Sequence, residues 1–407
     1  MSGALEFLRE VRVLDFCWVG AGALVTKLLA DMGAEVIKIE SRARPDNLRL
    51  APPYRPGGEG LEGSGYFASR NTNKKSFALD MRQPQAREIA LSLAAHCSIV
   101  TSNFRPGVME RWGLAYDDVR QRNPSIIYLT MPMQGASGPH SSYTGFGSTI
   151  AALSGLVHLS GRPDRPPVGT GTHYPDHVPN PGHALVALLA ALLHRERSGE
   201  GQAVEVSQLE STINVIGQAF LDDAQADGTR DRSGNRVGGA SPHGVFPCAG
   251  TDEWVAVACL DQRHWLDLLE VLGQPAWGEE ERFVTLLGRK QHEDELEQLL
   301  ATETRRRQRT QLVEDLRACG VPAAAVNSSR DVLTDGALEA RDYWQRVSHP
   351  VIGEMAIARP PFRRDEVQRP TLRRAPLLGE HTLEIATGLL GMDTATVERL
   401  IEQGVLA

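Results

Sequence analysis

The stretch Val11-Arg-Val-Leu-Asp-Phe-Cys-Trp-Val-Gly20-Ala-Gly-Ala-Leu-Val-Thr-Lys-Leu-Leu-Ala30-Asp-Met-Gly-Ala-Glu-Val-Ile-Lys-Ile-Glu40 reads as one β-α-β unit. Residues 11–16 are β-branched and apolar enough for a strand, and Gly20-Ala-Gly22 reads as a tight turn. Leu28, Leu29 and Met32 then recur at helical spacing, and residues 34–39 form a second strand. Gly33 falls where a helix C-terminus wants a residue without a Cβ. The alternation continues outward: a helix over 83–95, a strand over 98–101, helices over 107–112 and 116–121, and a strand over 125–129. This pattern predicts an α/β fold with a Rossmann-like parallel sheet. The glycines followed by Glu40 imitate a dinucleotide fingerprint, but Val25 holds the third glycine position, so a nicotinamide-dependent dehydrogenase is disfavoured.

The 407 residues are 41% hydrophobic and carry 43 basic against 51 acidic side chains, a formal charge of −8. That length supports one large domain and a smaller one, and the charge gives no basic field for nucleic acid. Residues 1–10 carry charges where a signal peptide needs an apolar core, and the longest apolar run, 184–193, is too short to span a bilayer. The reading is therefore a cytoplasmic chain with no membrane partner, with 184–193 as a buried helix. Five scattered cysteines make no Cys-x-x-Cys pair and indicate neither zinc nor a disulfide framework. Residues 1–225 are read as the first part of the large domain and 226–340 as a small α+β domain, the latter with strands at 244–247 and 253–259, a helix at 264–272 and one charged helix over 294–317. Residues 341–407 are read as returning to the large domain. Loops are expected over 43–64 and 226–239.

Gly171-Thr-His-Tyr-Pro-Asp-His-Val-Pro-Asn-Pro-Gly-His183 leads into the apolar helix, and Asp176 lies just ahead of that helix's N-terminus. Partial positive charge and unpaired N–H groups there favour an ionised carboxylate, a setting that suits a nucleophile. His173, His177 and His183 lie nearby, but the intervening prolines oppose the regular helix that metal-ligand spacing would need, so no metal is expected. Arg42, Arg44, Arg70, Lys74, Lys75, Arg105 and Arg111 cluster at or after expected strand C-termini, the edge where open α/β sheets bind phosphorylated ligands.

The chain resembles the class III CoA-transferases, the family of formyl-CoA and carnitine CoA-transferases that includes the α-methylacyl-CoA racemases. The likeness rests on Leu28-Leu-Ala-Asp-Met-Gly-Ala-Glu-Val-Ile-Lys-Ile-Glu40, Asn71-Thr-Asn-Lys-Lys-Ser76, Asn103-Phe-Arg-Pro-Gly-Val-Met-Glu-Arg-Trp-Gly-Leu114, Asn123-Pro-Ser-Ile-Ile-Tyr128, Gly320-Val-Pro-Ala-Ala-Ala-Val-Asn327 and Ala375-Pro-Leu-Leu-Gly-Glu-His-Thr382. It implies an interlocked dimer, homomeric or paired with a paralogous subunit. It also implies coenzyme A as a thioester substrate, a carboxylic acid acceptor, and Asp176 as the nucleophile that forms a mixed anhydride and then an aspartyl-CoA thioester. Asn103, Phe104 and Arg111 match CoA contacts, Arg42 and Lys75 are expected to join them, and Gly238 and Gly239 match a glycine loop that closes over the site.

Where the racemase branch carries histidine, the matching position is Phe146, which cannot move a proton; transfer is favoured over racemisation. A non-catalytic subunit of a heteromeric transferase is the other alternative, disfavoured because Asp176 is present. Gly20 and Ala23 replace the Gln and Pro of many transferases, a change expected to enlarge the pocket. Asp-Phe-Cys-Trp at 15–18 and the 175–183 loop resemble the branch that uses succinyl-CoA with dicarboxylates such as benzylsuccinate or malate.

Overall fold

A computed structural model describes residues 8–225, 231–363 and 369–407. Six strands, β1 (Arg12–Asp15), β2 (Glu35–Glu40), β3 (Lys75–Ala78), β4 (Ile99–Ser102), β5 (Ile127–Thr130) and β6 (Gln202–Glu205), pair in parallel in the order β3-β2-β1-β4-β5-β6. The chain runs outward from β1 through β2 to β3, then crosses back to add β4 on the other side. That reversal opens a crevice between the C-terminal ends of β1 and β4, the place where open α/β sheets bind their ligands.

Alternation along the strands divides the core. Leu14, Ile37, Phe77, Val100 and Tyr128 share one cluster with Ile385, Ala386 and Val397 of the C-terminal segment. Val13, Val36, Ile99, Ile127 and Leu129 face the other way, onto Val25 and Leu29 of helix α1 (Gly20–Asp31) and Ala184, Leu188 and Ala191 further along the chain. Helices α2 (Gly65–Arg70), α3 (Ala86–Ala95), α4 (Val108–Arg111), α5 (Tyr116–Arg122), α6 (Gly147–Leu153), α7 (Tyr174–His177), α8 (Pro179–Ser198), α9 (Gln208–Asn214) and α10 (Gly217–Gln225) follow in order.

Three local expectations change. Gly20-Ala-Gly22 is the first turn of α1, not a turn ahead of it, because the chain turns earlier, at Val19. The apolar helix is longer than 184–193 and is not buried all round: Ala184, Leu188 and Ala191 are buried, whereas Val186, Leu189 and Leu193 are exposed. A 3.6-residue period lets a helix offer one stripe to one sheet, and the opposite stripe is left uncovered by the described residues. Strands β3 and β6 are additions.

The chain divides into two compact units, Met1–Val157 with Gly169–Arg230 and Leu338–Ala407, and His158–Val168 with Asp231–Ala337. The second unit has an antiparallel sheet, β7 (His243–Pro247), β8 (Trp254–Ala258) and β9 (Ala323–Ala325), around a core that includes Phe246, Val255, Trp265, Phe283, Leu296 and Leu312. His158–Val168 lies inside the segment read as large domain, yet it joins this unit. Gly234 donates its backbone N–H to Gly161 O at 2.9 Å, and Arg232 donates to His158 O at 3.1 Å. The single charged helix over 294–317 is instead two, Glu293–Thr304 and Arg309–Ala318, because the chain breaks at the arginine run. A hairpin, β10 (Trp344–His349) with β11 (Gly353–Ala358), opens the C-terminal segment. Residues 226–230 of the expected loop lie outside the described residues, as does the start of the chain where a signal peptide was discounted. No helix among the described residues is long and apolar enough to cross a membrane.

Candidate active site

The crevice between β1 and β4 is held by one side chain. Asn103, just past β4, accepts from Trp18 N at 2.9 Å and donates to Trp18 O at 2.6 Å, clasping the peptide that follows β1. Next comes Val19, a β-branched residue at φ 63°, a conformation costing on the order of 1–3 kcal/mol. Its N–H is fixed by Asp46 Oδ1 at 2.9 Å, and Asp46 is anchored by Lys38 at 2.8 Å. Behind them Asp15 accepts from Cys17 N, Thr26 and Thr101 and pairs with Lys74 at 3.1 Å. Burial alone would raise the Asp15 carboxyl, but Lys74 and Lys38 outweigh it and hold it below its ordinary value. Four buried charges thus fix a strained turn at the point where α1 begins.

Asp176 sits on α7, and its own N–H donates to His173 O at 2.9 Å. It is only 7% exposed, wedged between two glycines. A Cβ on Gly20 would lie 2.8 Å from Asp176 Cβ, and one on Gly147 would lie 2.6 Å from Asp176 Oδ2. Gly147 opens α6, and its backbone N–H donates to the Asp176 carboxylate. Gly20 therefore does not enlarge the pocket: the space that a side chain at position 20 would take is filled by Asp176. Burial pushes the Asp176 carboxyl up to about 6, against the pull of His173 and the Gly147 N–H. The shift is opposite in direction to the one expected at a helix terminus, because desolvation here outweighs the helix-terminus field, although the group stays mostly ionised at neutral pH.

Two cavities meet at this point. One of about 480 Å³ exposes Asp176 and is lined by Val19, Gly20, Met133, Tyr143, Phe146 and Gln208 among others. The second, about 370 Å³, runs over the ends of β1, β2 and β3 between Phe16, Met81 and Trp112, with Arg44, Arg82, Arg105 and Arg111 in its wall. Trp18, Phe104 and Arg105 line both. Phe104 meets Trp18 edge-on at 5.1 Å and Trp112 at 5.4 Å. Arg82 pairs with Asp80, whereas Arg44, Arg105 and Arg111 make no ion pair with a described residue. An aromatic floor with unpaired guanidiniums suits a flat base carrying phosphates.

Of the residues singled out in sequence, the structure brings Asn103, Phe104, Arg111 and Asp176 to these two cavities. The amide of Asn103 is spent on Trp18, so it shapes the crevice. Lys75 is not brought to either cavity. It begins β3, at the N-terminal edge of the sheet and not after a strand C-terminus, and pairs with Glu35 and Glu384 at 2.7 Å each. Arg42 is exposed past the C-terminal end of β2 but lines neither cavity; Arg44 does. Lys74 is buried against Asp15 and serves the core. Gly238 and Gly239 belong to the second unit and are exposed, and a Cβ added at either would meet only open space. Gly147 and Asp46 escaped the sequence reading: no local pattern marks an amide or carboxylate whose partner comes from another element. Among the described residues no cluster of three or more His, Cys, Asp or Glu is placed to hold a metal ion.

A buried carboxylate at the switch point of a parallel sheet, open to an arginine-walled aromatic cleft, defines an enzyme that works on an anionic, nucleotide-bearing ligand. The sequence profile of CoA-transferase family III matches residues 8–382, and the chain belongs to that family. It is 32% identical over 386 residues to the succinyl-CoA–D-citramalate CoA-transferase of Chloroflexus aurantiacus, covering 95% of this chain and 94% of the relative. It is 32% identical to the succinyl-CoA:mesaconate CoA-transferase of Haloarcula marismortui, covering 97% and 98%. A crystal structure of a CAIB/BAIF family protein from Brucella suis superposes with a TM-score of 0.86 at 27% identity, covering 96% of this chain and all of that one. The chain is an acyl-CoA:carboxylate CoA-transferase.

Proposed function

We propose that this chain moves CoA from succinyl-CoA to a dicarboxylic acid through covalent intermediates on Asp176. The observation that carries the reading is the Asp176 carboxylate itself, buried between Gly20 and Gly147 yet open to the cavity that joins the arginine-walled cleft. An Asp176 oxygen attacks the thioester carbonyl, the C–S bond breaks, and CoA leaves as a thiolate, giving a mixed anhydride. The thiolate then attacks the Asp176 carbonyl, releasing the donor acid and leaving an aspartyl-CoA thioester. An acceptor carboxylate attacks that thioester and frees the thiolate again, which takes the acceptor's acyl carbon and restores the carboxylate.

No side chain caps α1, and Gly20 and Ala21 line the Asp176 cavity, so first-turn amides are available where the tetrahedral oxyanions form. The aromatic cleft would take the adenine and Arg44, Arg105 and Arg111 the phosphates. The named activities of the relatives, on citramalate, mesaconate and, in a mouse relative 29% identical, glutarate, support a diacid acceptor.

Incubation with succinyl-CoA followed by hydroxylamine or borohydride and peptide mass mapping is expected to place the adduct on Asp176. An adduct elsewhere, or none, removes the mechanism. The exposed stripe of α8 and the wholly unburied α10, with Phe220 and Leu221 exposed, support pairing with a second copy or a paralogous subunit, in keeping with an interlocked dimer. Light scattering that returns only 44.4 kDa, with and without the paralogue, would refute it.

A further inference from the structure

We propose that Arg70 receives the second carboxylate of the acceptor and so selects dicarboxylic over monocarboxylic acids. This deepens the transferase reading and rests on it. Arg70 ends α2, a short helix whose start is fixed by Ser64, which accepts from Phe67 N at 3.1 Å. The guanidinium lies 5.6 Å from the ring centroid of Tyr66, one helical turn back. The Tyr66 hydroxyl meets His177 Nε2 at 3.0 Å, and His177 is the residue next to the nucleophile. One aromatic ring and one imidazole therefore connect Arg70 to the reacting carboxylate.

Apart from the cleft arginines Arg44, Arg105 and Arg111, charge accounting leaves one cation over behind the crevice, Arg70. The other cations behind the crevice are matched: Lys38 with Asp46, Arg49 with Glu40 and Glu62, Lys74 with Asp15. Arg70 makes no ion pair with a described residue, and its Nε, shut off from water, donates to no acceptor among them. A guanidinium donor left unmatched in a desolvated place favours an anionic ligand, and its planar fork fits a carboxylate with two parallel hydrogen bonds. His177 does not supply the missing charge. Burial first, then Arg70 and His173, lower it to about 4, so it is neutral at pH 7. Burial also raises the Tyr66 hydroxyl, which keeps it a neutral donor beside the guanidinium. Arg70 lines neither cavity, but it is only half-buried, which leaves part of the side chain open to a small acid.

The test compares two acids of equal chain length, glutarate and valerate, as acceptors with saturating succinyl-CoA, using the full chain and its Arg70→Gln and Arg70→Lys variants. R70Q is expected to raise KM for glutarate roughly 10- to 100-fold while leaving KM for valerate within about twofold. R70K is expected to fall between, since an ammonium keeps the charge and loses the fork. A glutarate-to-valerate preference in R70Q equal to that of the wild type overturns the proposal. Should R70Q lose its fold by circular dichroism, the same ratio in R70K decides: a value equal to wild type overturns it, a lowered one supports it. Wild-type chain that transfers CoA to neither acid refutes the succinyl-CoA-to-diacid reading instead, and calorimetric binding of glutarate against valerate then still reports on Arg70.

Discussion

Asp176→Asn is expected to abolish CoA transfer, on the order of 10⁴-fold or more, while making the folded chain more stable at neutral pH. An amide cannot form the anhydride, so the loss is one of chemistry and not of affinity. The stability gain follows from burial. The Asp176 carboxyl, pushed up to about 6 from the ordinary 3.8, is costly to ionise inside the fold. Because the folded value lies above the unfolded one, the folded chain binds more protons between them, and wild-type stability falls as pH rises from about 4 to about 6. Asparagine carries no such cost. Its advantage in thermal unfolding should be absent below pH 4 and reach a plateau of up to about 3 kcal/mol above pH 6. The same titration predicts that kcat/KM for the acyl-CoA donor rises with an apparent pKa about 6. A variant less stable than wild type at pH 7.5, or a donor profile flat from pH 5 to 8, would contradict the burial argument.

Gly20→Ala and Gly147→Ala should each cost on the order of 10²-fold in kcat, with the Gly147 variant the worse. At either position a methyl group falls inside contact distance of Asp176, and the atoms it meets are the short, backbone-anchored carboxylate, not the far end of a flexible chain. The nucleophile must shift, and at Gly147 the N–H that steadies its charge shifts too. Neither glycine has a positive φ, so the backbone tolerates alanine and the fold should survive. Full activity in Gly147→Ala, with trapping still at Asp176, would show that the reactive position of the carboxylate differs from the one seen.

Much of the fold was legible in sequence because its signals are local. Strand, helix and cap in residues 11–40 follow from spacing within a few residues, and so did the expectation of a parallel sheet. The candidate nucleophile was legible as a residue type in a prolyl loop, Arg111 by its place after a strand, and Phe104 only through the family resemblance. Lys75 was placed among basic residues at or after strand C-termini, whereas it begins a strand, and a parallel sheet puts its two ends on opposite edges.

By itself, then, the amino-acid order determined the element pattern, the family likeness, and a carboxylate ahead of an apolar helix. Only the tertiary structure decided that this carboxylate is desolvated, that Gly20 and Gly147 are small because it lies against them, and that Asn103 is spent on Trp18. It also decided that Arg70 is left without an anion among the described residues. Each of these depends on which atoms from distant segments exclude water from one another, and desolvation and contact are properties of neighbours in space that no local period encodes.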